Sequence, residues 1–246
     1  MRIPAFFMVI SLSLFQHNAR SQESNLNVEF LNKSLVSARE VYLQDIGDQL
    51  QIYNGKEYAE YDRQITGHPF YLTDYYEYGV LEYDGNNYDS VEMRYDIHKD
   101  ALILKHFTQS GFVKEFILND SKITRFYLLN RTFIVIPDSS ETQPLETGIY
   151  ELLFHDELYL LSKRSKKYVE EFHGVYLKQR FEEESKYYIL NNDQLSSIRN
   201  KRSLIKAFPE QKKGIKKHIR DSRLYFGNDL ENSIISTVRY VSTLKE

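Results

Sequence analysis

The chain has 246 residues, a net charge of −3, and neither cysteine nor tryptophan. That length suits one substantial core in one mature domain, and the charge excludes a generally basic nucleic-acid binder. The missing cysteines exclude a disulfide scaffold and thiolate metal sites, while 20 tyrosines and 15 phenylalanines lean the composition toward β structure.

Residues 1–21 read as a secretory signal. Arg2 gives a positive start, residues 3–15 are mostly apolar, and Ala19-Arg20-Ser21 offers small residues before a cleavage point at Gln22. The apolar run is short for a membrane span; the alternative is an N-terminal anchor that stays on the chain. Without a cysteine at the cleavage point, a lipoprotein anchor is excluded. The expected location is periplasmic or secreted, with core packing alone stabilising the fold.

Residues 34–46 predict a short helix, with Leu35, Ala38, Val41, Tyr42 and Ile46 as its apolar stripe, Ser34 as its cap and Gly47 as its end. Asn54-Gly55 predicts a hairpin joining residues 51–53 to 56–58. The centre of the chain is a run of hairpins. Val91, Met93 and Tyr95 alternate with Glu92 and Arg94, the period of a half-buried strand. Asp84-Gly85 supplies the positive φ angles of a type I′ turn. Strands are expected at 80–83, 88–97 and 101–107, then at 112–118, 122–129, 132–136, 149–154 and 158–161. Residues 138–147 predict an exposed loop and residues 162–167 a basic turn. Residues 168–181 fit a bent strand or a helix, and Gly174 with β-branched Val175 favours the strand. Residues 187–190 and 195–199 bracket Asn191-Asn192 as a last hairpin.

The character changes after residue 199. Asn200 caps a predicted helix over 201–207, and Pro209 suits the first turn of a helix over 210–223. In that helix Ile215 and Ile219 share one face, while Lys212, Lys213, Lys216, Lys217 and Arg220 lie largely elsewhere. Gly214 weakens it by roughly 1 kcal/mol. Asn228 and Glu231 resemble a capping box before an amphipathic stripe of Leu230, Ile234, Ile235, Val238 and Val241. The expected fold class is α+β, mainly β: an antiparallel meander of roughly ten strands forming an open barrel or sandwich, with a short N-terminal helix and C-terminal helices. The expected organisation is a signal peptide at 1–21, a β-rich meander at 22–199, and a basic helical segment at 200–246 packed on the same domain.

The runs Ile46-Gly47-Asp48-Gln49, Ile52-Tyr53-Asn54-Gly55-Lys56-Glu57-Tyr58, Gly67-His68-Pro69-Phe70-Tyr71 and Tyr83-Asp84-Gly85, with the basic helical tail, resemble a family of exported β-rich proteins of Gram-negative bacteria. The likeness covers residues 34–244. It implies export and a shared fold, and it carries over no activity and no functional residue.

The residues themselves give no catalytic signature. His17, His68, His98, His106, His155, His173 and His218 are scattered, without metal-ligand spacing. A composite site of His98, His106, His155 and His173 requires the fold to gather them; the simpler reading is turn and surface histidines. Gly67-His68-Pro69 is either a rigid loop presenting His68 or a strand-entry turn before Phe70, and the structural reading is preferred. No G-x-S-x-G elbow is present. Glu77, Glu82, Asp84, Asp89 and Glu92 could hold a glycosidase-like pair, but a solvated strand face accounts for them better. Tyr71, Tyr75, Tyr76, Tyr78, Tyr83 and Tyr88 beside those acids could grip a sugar or peptide; core packing and sheet edges are the plainer account.

Residues 199–223 carry a net +8, which leaves −11 elsewhere. The preferred reading is a solvated helix face balancing an acidic β region; the functional alternative is contact with a membrane surface through Lys212, Lys213, Lys216, Lys217 and Arg220. The expected function is a non-catalytic binding or interaction module of the cell envelope, with no cofactor, no metal and no nucleic-acid partner, whose partner is a protein, a glycan or another envelope component. The alternatives are a carrier of a small apolar ligand in a curved sheet and a hydrolase of extracellular polymers.

Overall fold

The computed structural model describes residues 52, 55–62, 64–108, 111–137, 145–174, 176–192 and 194–244, and before them Ser34 alone. The predicted signal and the 34–46 helix lie outside the described residues, apart from Ser34, which is helical. Contacts divide the chain at residue 50, and the fold below is that of the unit Gln51–Glu246.

Among the described residues the strands form one antiparallel sheet of eleven, mainly β as expected. They are β1 (Lys56–Glu57), β2 (Glu77–Tyr83), β3 (Asn86–Asp96), β4 (Ala101–Phe107), β5 (Val113–Ile117), β6 (Ile123–Leu128), β7 (Arg131–Ile136), β8 (Gly148–His155), β9 (Tyr159–His173), β10 (Tyr176–Asn191) and β11 (Gln194–Ile198). Their order is β1-β5-β4-β3-β2-β6-β7-β8-β9-β10-β11. Asp84 and Gly85 both take positive φ, 51° and 75°, closing the type I′ turn between β2 and β3.

Two connections break the meander: β1 pairs with β5 rather than with β2, and β5 leads to β6 on the far side of β2. From Ile117 the chain steps over β4, β3 and β2 to reach Ile123, partly as a 3-10 turn. Four interstrand spacings on a flat sheet span roughly 19 Å, close to the fully extended reach of those residues, about 20 Å. A turn in that connection therefore requires a coiled sheet. The concave side is filled by aromatic rings: Phe126 stacks on Phe133 at 4.7 Å, and Tyr71 and Tyr95 meet Phe133 edge-on at 5.2 and 5.3 Å. The sheet does not close by strand pairing and is an open barrel.

Residues 51, 53 and 54 of the predicted 51–58 hairpin lie outside the described residues. Ile52 lies in a 3-10 turn, and Lys56–Glu57 pairs with β5. The predicted basic turn at 162–167 is corrected, because these residues run through the middle of β9. Charge there marks partners across the fold rather than solvent: Lys163 meets Asp100 at 2.5 Å, Arg164 meets Glu151 at 2.6 Å, and Lys166 donates to the carbonyls of His68 and Phe70. The ambiguous stretch 168–181 is strand on both sides of Gly174, which turns at φ 66°.

Three helices pack on the β8–β11 part of the sheet: α1 (Lys201–Ala207), α2 (Lys212–Asp221) and α3 (Leu230–Thr243). Ile234, Val238 and Val241 of α3 are fully buried against Leu160, Ile189 and Ile198 of the strands, together with Ile215 and Ile219 of α2. Asn200 and Ser203 form a reciprocal capping box on α1. The cap of α3 differs from the expected one. Asp229 accepts from the Asn232 N–H, and Glu231 is drawn away to Arg164 and Tyr187. Asp229→Ala is expected to lower stability by about 1 kcal/mol in urea denaturation, whereas Asn228→Ala should leave it unchanged.

Candidate functional site

Residues 66–71 form a strap that joins β10 to β3. Thr66 bridges Arg180 of β10, Phe70 bridges Asp96 of β3, and the Tyr71 N–H donates to the Tyr95 carbonyl. Lys166 fixes the strap from β9 by donating to two of its carbonyls. Gly67-His68-Pro69 thus has the structural role preferred from sequence. The His68 ring stacks on Phe70. Burial, then the charge of Lys166, lowers its pKa.

Two charged groups lie under the strap. Asp96 is fully buried and accepts from the Tyr58 and Tyr61 hydroxyls at 3.1 Å and from the His98 and Lys99 N–H groups at 2.9 Å. Arg94 lies 3.6 Å from the centre of the Phe70 ring and 4.4 Å from that of Tyr76. Deeper, Glu151 of β8 accepts from Arg164 at 2.6 Å and from the Tyr71 hydroxyl at 3.1 Å, with Arg131 at 3.4 Å. Arg164 reaches on to Glu231 of α3 at 2.7 Å and to Ser185. Burial, then the Glu151 charge, raises the pKa of Tyr71. The network joins strap, sheet and helix, and its chemistry is cohesion.

The residues singled out from sequence are dispersed. His98 meets Tyr61 and Phe181 edge-on, His155 stacks on Tyr159 at the end of β8, His106 lies on β4, and the backbone of His173 pairs with Tyr176 at the end of the β9–β10 hairpin. Among the described residues no three His, Asp or Glu side chains converge as a metal site. Glu82, Asp84 and Glu92 pair with Arg125, Lys122 and Lys105. Tyr71 and Tyr83 are core residues, Tyr76 and Tyr88 are half-buried, and Tyr75 and Tyr78 are exposed, so the six tyrosines share no face. Sequence reasoning missed Glu151, Arg164 and Asp96. The available signal was a charge within an apolar strand, as in Ile149-Tyr150-Glu151-Leu152.

The surface of α2 and α3 is different in kind. A shallow groove of about 410 Å³ is lined by His218 of α2 and by Asn232, Ser236, Arg239, Tyr240 and Thr243 of α3. His218 stacks flat on Tyr240 at 4.4 Å and shares a hydrogen bond with Ser236. Gly214, unfavourable inside a helix, lets this happen, because a Cβ there would lie 2.9 Å from the Tyr240 hydroxyl. Lys212, Lys213, Lys216 and Lys217 are exposed on α2, and among the described residues no carboxylate pairs with them; Arg220 meets Asp221 of its own helix. Among the described residues, the acidic part of the molecule therefore does not neutralise this face by contact. No protein family, curated protein or solved structure matches the chain.

Proposed function

We propose that this chain is a non-catalytic binding module of the cell envelope, and that the basic face of α2 docks it on an anionic membrane surface. The observation that carries the reading is a set of four exposed lysines, unpaired among the described residues, on one helix that Ile215 and Ile219 lock into the core. Lysines held by a rigid helix and free of partners add about 1 kcal/mol each near an anionic surface. The filled concave side of the sheet supports surface binding over enclosure of a small ligand. The acids of β2 and β3 that pair with basic residues across strands support a non-catalytic reading. The apolar N-terminal run and the resemblance to exported β-rich proteins support the envelope as the setting.

The test is sedimentation with vesicles of phosphatidylglycerol or of phosphatidylcholine. Binding is expected only to the anionic vesicles and should weaken as salt is raised. The combined Lys212→Gln, Lys213→Gln, Lys216→Gln and Lys217→Gln variant should bind at least about tenfold more weakly. Equal binding by the variant, or no binding by the parent chain, would overturn the reading.

A further inference from the structure

The β9–β10 hairpin outruns the sheet that carries it. β8 pairs with β9 only as far as Ser162, and β11 pairs with β10 only as far as Tyr187. Beyond that level the two strands continue to pair with each other up to His173 and Tyr176. The strap holds the base of this ribbon at Arg180. From the Val169–Arg180 pair to the His173–Tyr176 pair, the ribbon runs on for about 13 Å.

The sequence at its end, Phe172-His173-Gly174-Val175-Tyr176-Leu177, contains no acid, lysine or arginine. Phe172 and Tyr176 are each 76% exposed, and Leu177 is 45% exposed. Phe172 and Leu177 are directly opposed across the strands and share one face of the ribbon, while Tyr176 points to the other. A flat protein partner would cover one face and leave the other wet; a lipid layer surrounds both. Glu171 is taken by Arg180 at 2.6 Å, and Glu170 accepts from Tyr168 and Gln179. Lys178, next to Leu177, is exposed and has no ion-pair partner among the described residues. An apolar tip with side chains on both faces and an exposed cation beside it is complementary to acyl chains beneath headgroups, while Glu170, bound only by neutral Tyr168 and Gln179, keeps its charge in the water behind the tip. The free strand edges limit its depth, because unpaired backbone groups are costly in hydrocarbon.

We infer that the β9–β10 tip inserts Phe172, Tyr176 and Leu177 into the interfacial layer of an anionic bilayer. The inference rests on the proposed membrane docking and adds an apolar contact to it. A chain without tryptophan allows a local test. Phe172→Trp places a single indole reporter at the tip, and Tyr225→Trp places a control on the exposed turn between α2 and α3. On phosphatidylglycerol vesicles the emission of the tip indole should shift to the blue, and brominated acyl chains should quench it; the control indole should do neither. The Phe172→Ser, Leu177→Ser variant should bind these vesicles roughly tenfold more weakly with an unchanged melting temperature. Sedimentation with vesicles while the tip indole stays solvent-exposed would overturn the inference and leave the α2 reading standing. Absence of both sedimentation and shift would overturn both. A concentration-dependent blue shift without lipid, accompanied by dimer in sedimentation velocity, would assign the tip to a second copy of the chain instead.

Discussion

Replacing Arg164 by methionine is expected to destabilise the fold by about 3–5 kcal/mol, because it strips the main partner from a fully buried carboxylate. Glu151 is fully buried, and its other charged neighbour, Arg131, is half-exposed at 3.4 Å. Methionine keeps much of the aliphatic volume of arginine, so the loss reports charge rather than a cavity. The double variant Arg164→Met, Glu151→Leu removes both charges and should recover at least about 1 kcal/mol of the loss. Urea midpoints of the two single variants and the double variant give the coupling directly. Additive losses would mean that the pair is not an energetic unit. Glu231 also binds Arg164, at 2.7 Å, so Arg164→Met should loosen α3 as well; amide exchange along that helix should rise with the global destabilisation.

The second large effect is alkaline. Burial, the first cause in each case, raises the pKa of Tyr58, Tyr61, Tyr71, Tyr76, Tyr95 and Tyr150 above the ordinary value for tyrosine, and nearby carboxylates push further. Burial, then the Glu231 charge, raises Tyr187 to about 12. A group whose folded pKa exceeds its unfolded one holds its proton longer when folded. Its stabilising contribution is complete below the unfolded pKa of about 10 and is lost as pH climbs toward the folded value. Each buried tyrosine then withdraws up to about 1.4 kcal/mol per pH unit, and several act together. Cooperative unfolding is expected between about pH 10 and 12, with the buried tyrosines ionising in the same step that abolishes the sheet's ellipticity. Smooth ionisation near pH 10 with the ellipticity intact would contradict this account.

Local chemistry made much of the fold legible. Asp84-Gly85 can form a tight hairpin whatever lies around it, and the stripe from Ile234 to Val241 can bury only one side of a helix. Both are short-range facts, and the structure keeps both. The basic turn expected at 162–167 misled because a lysine or arginine in a strand looks solvated until its partner is known. Those partners are Asp100, Glu151 and two strap carbonyls, far away in sequence. Glu231 shows the same limit: its spacing from Asn228 fits a cap, yet an arginine from β9 takes it. The candidate surface on α2 was legible as five cations lying largely away from the face of two isoleucines. That no described acid pairs with its four lysines was not, because only the folded chain shows which partners those acids take. The tip of the ribbon was hidden for a related reason. Phe172, Tyr176 and Leu177 look like core residues until the neighbouring strands are seen to stop short of them.

The strap also sets the order in which the chain can assemble. Lys166 grips carbonyls 98 and 96 residues earlier, and Thr66 waits for Arg180. Closing so long a loop must precede the contacts that reward it. As the chain emerges from the ribosome or a membrane pore, β2 to β8 can coil early, but the strap stays unfastened until the ribbon arrives. For that interval the molecule is a sheet with bare edges, prone to pair with its neighbours and easy to keep threadable. Maturity comes late and at once, when one hairpin reaches back and fastens a segment made long before it.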